Sequence, residues 1–149
     1  MPASVPLTPS LENYLEVILS LEDENHDVRV TDLADKLHIA KSSVNQAITR
    51  LAKSNLVKYS KYSPIRLTAA GRKRALEIRR KHSLLKYFLE TVLKVSPAIA
   101  EKEACLMEHV VGNNTINKLE KFIENLNSTE KRTMNIDNNT NQKEIRKAL

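Results

Sequence analysis

Two glycines in a chain of 149 residues leave little capacity for the tight, left-handed turns that a β-sandwich or barrel requires at its strand ends. The chain must therefore be mainly helical. Aromatic residues amount to only 4% and tryptophan is absent, so Leu, Ile, Val and Ala have to fill the core. Length predicts one domain, or a small domain with a helical extension.

Apolar spacing fills in that outline. Leu11, Leu15, Ile18 and Leu19 recur at helical intervals behind Ser10, which reads as the N-cap of a helix reaching about Glu24. A polar connector over 25–28 follows. Thr31 then reads as the cap of a short helix with Leu33, Ala34 and Leu37 on one face. After a tight turn at His38–Lys41, Ser42 or Ser43 caps a third helix that turns Val44, Ala47, Ile48 and Leu51 inward. Two short helices joined by a few residues form the helix-turn-helix pattern. Leu56–Thr68 follows, with near-alternating β-branched and aromatic residues and a turn around Ser60–Pro64. It reads as a hairpin, and in that position a hairpin is a wing.

Thr68 caps a long helix from Ala69 to about Leu93. Ser96-Pro97 opens another, expected to reach about Val111, because proline suits the first helical turn. Gly112-Asn113-Asn114 stops it, and a helix over Thr115–Asn125 follows. The remaining residues are polar and Asn-rich. They read as a mobile tail or, alternatively, as a loop and a peripheral helix over 142–149. The expected units are thus 1–71, 72–126 and a tail over 127–149.

Charge is distributed unevenly along this order. The net charge is +6, yet residues 1–40 hold two basic and eight acidic side chains, and residues 41–94 hold fourteen basic and two acidic ones. Residues 95–149 hold eight of each. A basic block coinciding with a helix-turn-helix and wing points to nucleic acid rather than to a generic solvated surface. In such a unit the second helix enters the major groove. Its outward positions here are Ser42, Ser43, Asn45, Gln46, Thr49 and Arg50, with Lys41 at its start. Asn and Gln can pair both edges of adenine, Arg can fork onto guanine, and Ser or Thr can meet phosphate or base. The wing adds Lys58, Lys61 and Arg66, and Tyr59 and Tyr62 can lie against the sugar-phosphate backbone.

A second constellation lies farther on. Cys105, Glu108 and His109 stand at i, i+3 and i+4, so thiolate, carboxylate and imidazole share one helix face. Each has an ordinary explanation when taken singly: a small core hydrophobe, a solubilising acid, a packed imidazole. As a triplet they suit a first-row transition metal. His82 on the long helix and Glu16 on the first helix, with Asn13 three residues before it, are further candidates. His26 and His38 read as surface residues. No zinc-protease motif, Gly-rich phosphate loop or recognisable nucleophile setting is present, so no enzyme is expected.

These two constellations occur together in one known arrangement. The sequence resembles the diphtheria toxin repressor and manganese transport regulator family of metal-dependent transcriptional repressors. The resemblance is carried by TPSLENYLEVILSL, VTDLADKLHIAKSSVNQAITRLAKSNLV, LTAAGRKRA, RRKHSLL and EACLMEHVV, across residues 8 to 125. It implies a mainly α homodimer. Each subunit would have an N-terminal winged helix-turn-helix domain of three helices plus a β-hairpin wing, joined by a long helix to a helical metal-binding and dimerisation domain. It implies metal ligands at Asn13, Glu16, His82, Cys105, Glu108 and His109, with Fe²⁺ or Mn²⁺ as cofactor and Co²⁺, Ni²⁺ or Zn²⁺ admitted in vitro. Cys105 matches the iron branch, whereas Glu16 and His82 match the manganese branch.

Asn13 departs from both branches, where Met or Asp is usual, and a neutral amide offers only a carbonyl oxygen. Lys86 and Glu101 stand where the iron branch builds an ancillary site, and a cation at Lys86 would repel a second metal. One site per subunit follows, with a second ion sharing its carboxylates as the alternative. Longer members continue into a small C-terminal β-barrel, so the resemblance is to a two-domain short form.

The expected partners are operator DNA and a second copy of the chain, with no membrane and no small organic substrate. The N-terminus lacks the marks of a secretory signal, and no apolar run approaches the roughly 18 residues of a membrane span. One cysteine suits a reducing cytoplasm. Two competing readings remain open at this point. One is a winged-helix regulator sensing an organic ligand or thiol oxidation at Cys105; the other is a small metal or thiol enzyme with an incidental basic face.

Overall fold

The computed structural model describes residues 7–148, with side chains through Met134 and at positions 143, 146 and 147. The order is α1 (Pro9–Asp23), α2 (Val30–Leu37), α3 (Lys41–Lys53), β1 (Val57–Lys58), β2 (Arg66–Leu67), α4 (Ala69–Tyr87), a π turn (Phe88–Val92), α5 (Pro97–Met107) and α6 (Asn113–Ala148). The mainly α winged helix-turn-helix architecture is present. No helix among the described residues is long and apolar enough to cross a membrane.

Several helix starts differ from the sequence reading by a residue or two. Thr8, not Ser10, caps α1: its hydroxyl accepts from Leu11 N at 3.3 Å, and Pro9 takes the first turn. Helix α2 begins at Val30 behind Arg29, whose N–H is satisfied by Asp32 at 2.8 Å. Helix α3 begins at Lys41 behind Ala40, with no capping side chain, so Ser42 and Ser43 already lie inside its first turn. Thr68 caps α4 as expected, accepting from Gly71 N at 3.0 Å.

The scarcity of glycine has a structural answer at the helix ends. Asn25, His38, Asn55 and Lys94 adopt φ between 55° and 59°. They provide the left-handed exits for which glycine is the usual choice. Gly71 has a different role. A Cβ there would lie 1.8 Å from the Leu56 carbonyl oxygen, so α4 can pass the end of α3 only at a residue without a side chain.

Two apolar clusters organise the chain. The first joins α1, α2, α3, the wing and the start of α4 through Leu15, Ile18, Leu19, Leu33, Ile48, Leu51, Ile65 and Ala75. The second joins α4, the π turn, α5 and α6 through Leu85, Leu89, Ala100, Ala104 and Ile116. Helix α4 belongs to both. The wing is antiparallel, with Val57 opposite Leu67 and Lys58 opposite Arg66. The polar connector before α2 adds to it: Ile65 N donates to Val28 O at 2.8 Å, so Val28 is buried there.

Two differences concern the second half. Helix α5 ends at Met107 rather than near Val111, with Glu108 as its C-cap and His109 in the following turn. Helix α6 runs unbroken to Ala148, where a helix ending near Asn125 and a polar tail were expected. That stretch contains no proline or glycine to stop it. Ser128, Thr129 and Thr133 return their hydroxyls to carbonyls four residues back, which keeps these polar residues compatible with the helix.

Candidate metal centre and nucleic-acid interface

Glu108 is the residue around which the interior site is built. Its carboxylate is fully buried where α5 meets α1 and α4. Oε2 lies 2.7 Å from His82 Nδ1 on α4. Oε1 has no hydrogen-bond partner, although His109 Nε2 stands 3.3 Å away. His109 in turn faces α1: Nδ1 is 3.1 Å from Glu12 Oε2 and Nε2 is 3.0 Å from Asn13 Oδ1. On the outer side His82 Nε2 lies 3.1 Å from Glu101, which also accepts from Lys86 Nζ at 2.7 Å. A line of alternating groups therefore runs Lys86, Glu101, His82, Glu108, His109, Glu12, Arg74, the last pair at 3.4 Å.

Glu16, His82 and Cys105 line one cavity of about 280 Å³ with Glu101, Lys36 and Arg79. Burial, then the Glu108 charge, pushes the Glu16 carboxyl up to about 7, against the pull of His82 and His109. Burial likewise raises Glu108, opposed mainly by His82. Glu16 and Glu108 are close enough to disfavour simultaneous ionisation. Cys105 is exposed at the rim, and its thiol is raised by partial desolvation and then by Glu108, Glu16 and Glu101, which disfavours the reactive thiolate a redox sensor needs.

Among the described residues, no three His, Cys, Asp or Glu side chains converge as a ready cage. The donors are paired with one another instead. The set nevertheless fits a divalent cation. Each imidazole meets carboxylate or amide oxygen at both nitrogens, and a fully buried carboxylate oxygen lacks any donor. A cluster this rich in acceptors and poor in donors is one that positive charge satisfies.

Asn13, Glu16, His82, Cys105, Glu108 and His109 are thus gathered in one region. Glu12 was missed. It is buried on α1 and touches both His109 and Arg74. The available signal was an acid one turn before Glu16, on the same side of an otherwise apolar helix. The consequence of α5 ending early is small: Glu108 retains helical dihedrals, φ −57° and ψ −29°, so the triplet still shares one side.

On the opposite end of the first apolar cluster, Lys41, Ser42, Ser43, Asn45, Gln46, Thr49, Arg50, Lys58, Lys61 and Arg66 are all exposed. Three of these side chains, Thr49, Arg66 and Asn45, are already engaged. Thr49 Oγ1 donates to Asn45 O at 2.7 Å, and Arg66 pairs with Asp27 at 3.4 Å. Tyr59, although exposed, reaches α3 and donates to Asn45 Oδ1 at 3.2 Å.

The basic block divides in two. Arg72 pairs with Glu22 and Asp23, Arg79 with Asp23, Arg74 with Glu12, and Arg80 with Glu120. These arginines fasten α4 to α1 and α6, so the acidic first forty residues and the basic block partly neutralise each other inside the fold. Lys41, Arg50, Lys58 and Lys61 form no ion pair among the described residues and remain as the electropositive face.

Comparison with known proteins agrees with both halves of this description. Residues 6–65 match the family model of the iron dependent repressor N-terminal DNA binding domain. Residues 68–135 match that of the iron dependent repressor metal binding and dimerisation domain. The chain is 33% identical over 119 residues to an HTH-type transcriptional regulator of Methanocaldococcus jannaschii, covering 79% of this chain and 95% of that one. It is 33% identical over 112 residues to the HTH-type transcriptional regulator MntR of Listeria monocytogenes, covering 75% of this chain and 78% of that one.

Among solved structures, the manganese regulator SloR superposes with a TM-score of 0.70 at 28% identity, covering 79% of this chain and 55% of that one. A manganese-dependent transcriptional repressor in complex with manganese gives a TM-score of 0.70 at 27% identity, covering 76% and 52%. The chain therefore spans about half the length of these two solved structures.

Proposed function

The chain belongs to the iron-dependent repressor family, and from that premise we propose that it is a metal-activated transcriptional repressor. It binds operator DNA as a homodimer when Fe²⁺ or Mn²⁺ is bound, and so controls genes of metal-ion uptake. We assign it no catalytic role. One observation carries the reading: the fully buried Glu108, one oxygen unpartnered, stands where the helix carrying Glu16 meets the helix carrying His82 and the turn carrying His109.

In this proposal Glu16, His82, Cys105, Glu108 and His109 hold the ion. Asn13 contributes its carbonyl oxygen or orients His109. Glu16 belongs to α1, which is packed in the first apolar cluster with the reading helix; Cys105, Glu108 and His109 belong to the second half of the chain. Glu16 and Glu108 repel when both are ionised. A divalent cation supplies positive charge at that point. Glu16 then remains beside Glu108 without its proton, and α1 is held against the end of α5.

Fixing α1 fixes the reading helix relative to the second half. In a two-fold dimer that sets the spacing of two reading helices near one DNA turn, about 34 Å. A second copy of the chain has an apolar surface to meet in Leu93, Ile99, Leu106 and Val110, each more than half exposed. Ser42, Ser43, Asn45, Gln46, Thr49 and Arg50 face the groove, and Lys41, Lys58, Lys61 and Arg66 face phosphates.

The test is chelator sensitivity. A duplex selected from a random library should be released on chelation and bound again after Mn²⁺ or anaerobic Fe²⁺ is restored. Binding that survives chelation would overturn the proposal.

The raised carboxyl on Glu16 gives a pH prediction. The folded protein keeps that proton up to about 7, whereas the unfolded chain releases it near 4.5. Between these values the folded state binds more protons, so stability of the metal-free protein falls as pH rises, and the loss is complete above about 7. Metal displaces the proton, so the melting-temperature rise caused by Mn²⁺ should grow over the same interval. Thermal melts with and without Mn²⁺ across that range check both signs; a metal effect that shrinks with pH would contradict them.

Cys105 governs ion preference. A thiolate favours softer ions and a carboxylate harder ones, so Cys105→Asp should lower Co²⁺ affinity relative to Mn²⁺ by about ten-fold. Anaerobic calorimetric titration measures the ratio, and an unchanged ratio would remove Cys105 from the ligand set.

A further inference from the structure

The contact between the wing and the reading helix restricts what one of the reading side chains can recognise. Asn45 lies in the second turn of α3, and its side chain is exposed on the outer face beside Gln46, Thr49 and Arg50. A free asparagine amide reads adenine by donating to N7 and accepting from N6. Here the amide oxygen already accepts one hydrogen bond, and that bond sets the direction in which it points. The Tyr59 hydroxyl, on the chain just after β1, donates to Asn45 Oδ1 at 3.2 Å. With the oxygen turned to the wing, the amide nitrogen is turned away from it, toward the outer face.

Thr49 is committed as well, because its hydroxyl donates to the Asn45 backbone carbonyl at 2.7 Å. Gln46 makes no side-chain hydrogen bond among the described residues and keeps both halves of its amide. Two neighbouring amides on one helix therefore present different patterns outward: Gln46 a donor and an acceptor, Asn45 its donors, with the oxygen directed to the wing.

We propose that Tyr59 is a positioning residue for sequence recognition, which makes Asn45 a donor-only reader of an acceptor edge: guanine through N7 and O6, or thymine through O4. The proposal rests on the operator-binding reading above. It deepens that reading by assigning the base class at one position of each half-site. Adenine and cytosine both present an amino group toward the major groove, and the Asn45 oxygen, although it keeps a second lone pair, is turned toward the wing and away from that group while Tyr59 holds it. In the groove, where water is displaced, this mismatch matters more than on the free surface.

The experiment is selection from a randomised duplex library with Mn²⁺, run in parallel on wild type, Asn45→Ala and Tyr59→Phe. Tyr59→Phe removes one exposed hydroxyl and keeps the ring, and circular dichroism verifies that each variant folds. Asn45→Ala identifies the position that Asn45 reads, as the one whose preference it flattens. Wild type should there favour guanine or thymine over adenine by about ten-fold. Tyr59→Phe should admit adenine at that position to near parity and leave the other positions unchanged.

A purely structural role for the hydroxyl would weaken binding uniformly without altering the profile at one base. An adenine preference in wild type, or a Tyr59→Phe profile identical to wild type, overturns the assignment alone. Enrichment of no sequence by wild type overturns the repressor reading and this assignment with it.

Discussion

Replacing Glu108 or His109 by alanine is expected to abolish metal-stimulated operator binding while leaving a folded dimer. Coupling between an effector and a ligand is typically five- to about 150-fold, and both variants should reduce that stimulation to none. The reasoning rests on position. Glu108 is the one candidate donor here that is fully buried, and His109 connects it to Glu12 and Asn13 on α1. Neither lies in an apolar cluster, and when Glu108 is removed His82 keeps Glu101 while His109 keeps Glu12 and Asn13, so a loss of stability is expected without loss of the fold.

Glu108→Gln separates the two effects. It keeps the volume and removes the charge, so it should melt like the metal-free wild type and fail to respond to Mn²⁺. Fluorescence anisotropy on the selected duplex, with size-exclusion chromatography for the dimer, reads both. Wild-type stimulation in either alanine variant would remove these residues from the switch.

The second large effect is expected at Gly71. A methyl group there would meet the Leu56 carbonyl oxygen at 1.8 Å and its carbon at 2.8 Å, and both are backbone atoms that no rotamer change can move aside. That carbonyl also accepts from Thr68 N, the residue that caps α4. Gly71→Ala must push α4 away from the end of α3 and disturb its first turn. A loss of about 3 kcal/mol is expected, toward the upper end of typical overpacking, or roughly 10 °C in melting temperature.

Gly112→Ala is the matched control. No atom lies within 4 Å of a Cβ at that position, and its φ is not in the left-handed region, so stability should change by less than about 0.5 kcal/mol. Equal melting temperatures for the two variants would contradict the close approach.

Much of this was legible in the sequence, for reasons that particular residues make clear. The helices of the first half carry strong apolar periodicity, and a helix-turn-helix followed by alternating residues leaves few topologies open. Caps were less legible. Thr8, Arg29 and Ala40 precede their helices, yet a serine or threonine two or three residues later is at least as suitable by local preference alone. The extension of α6 was missed because polar composition argues against a packed element, whereas this stretch continues a helix already nucleated and packed at its start and meets no proline or glycine.

Long-range pairing was the least legible feature. The charge blocks were visible, but that Arg72, Arg74 and Arg79 face Glu22, Asp23 and Glu12 depends on how α4 crosses α1. Glu12 escaped for the same reason, since its partners His109 and Arg74 lie far along the chain. The Tyr59–Asn45 contact required the wing to fold back on the reading helix before it could be seen.

The central claim is that metal and operator stabilise one and the same arrangement of the two halves of the chain. Linkage makes it measurable, because the factor by which metal tightens DNA binding must equal the factor by which DNA tightens metal binding. The measurement is an anaerobic titration of the wild-type protein with Mn²⁺ and Fe²⁺, with and without the selected duplex, closed by duplex titrations with and without metal. The account predicts equal factors around that cycle, each well above one. Metal affinity that is the same with and without duplex would contradict it.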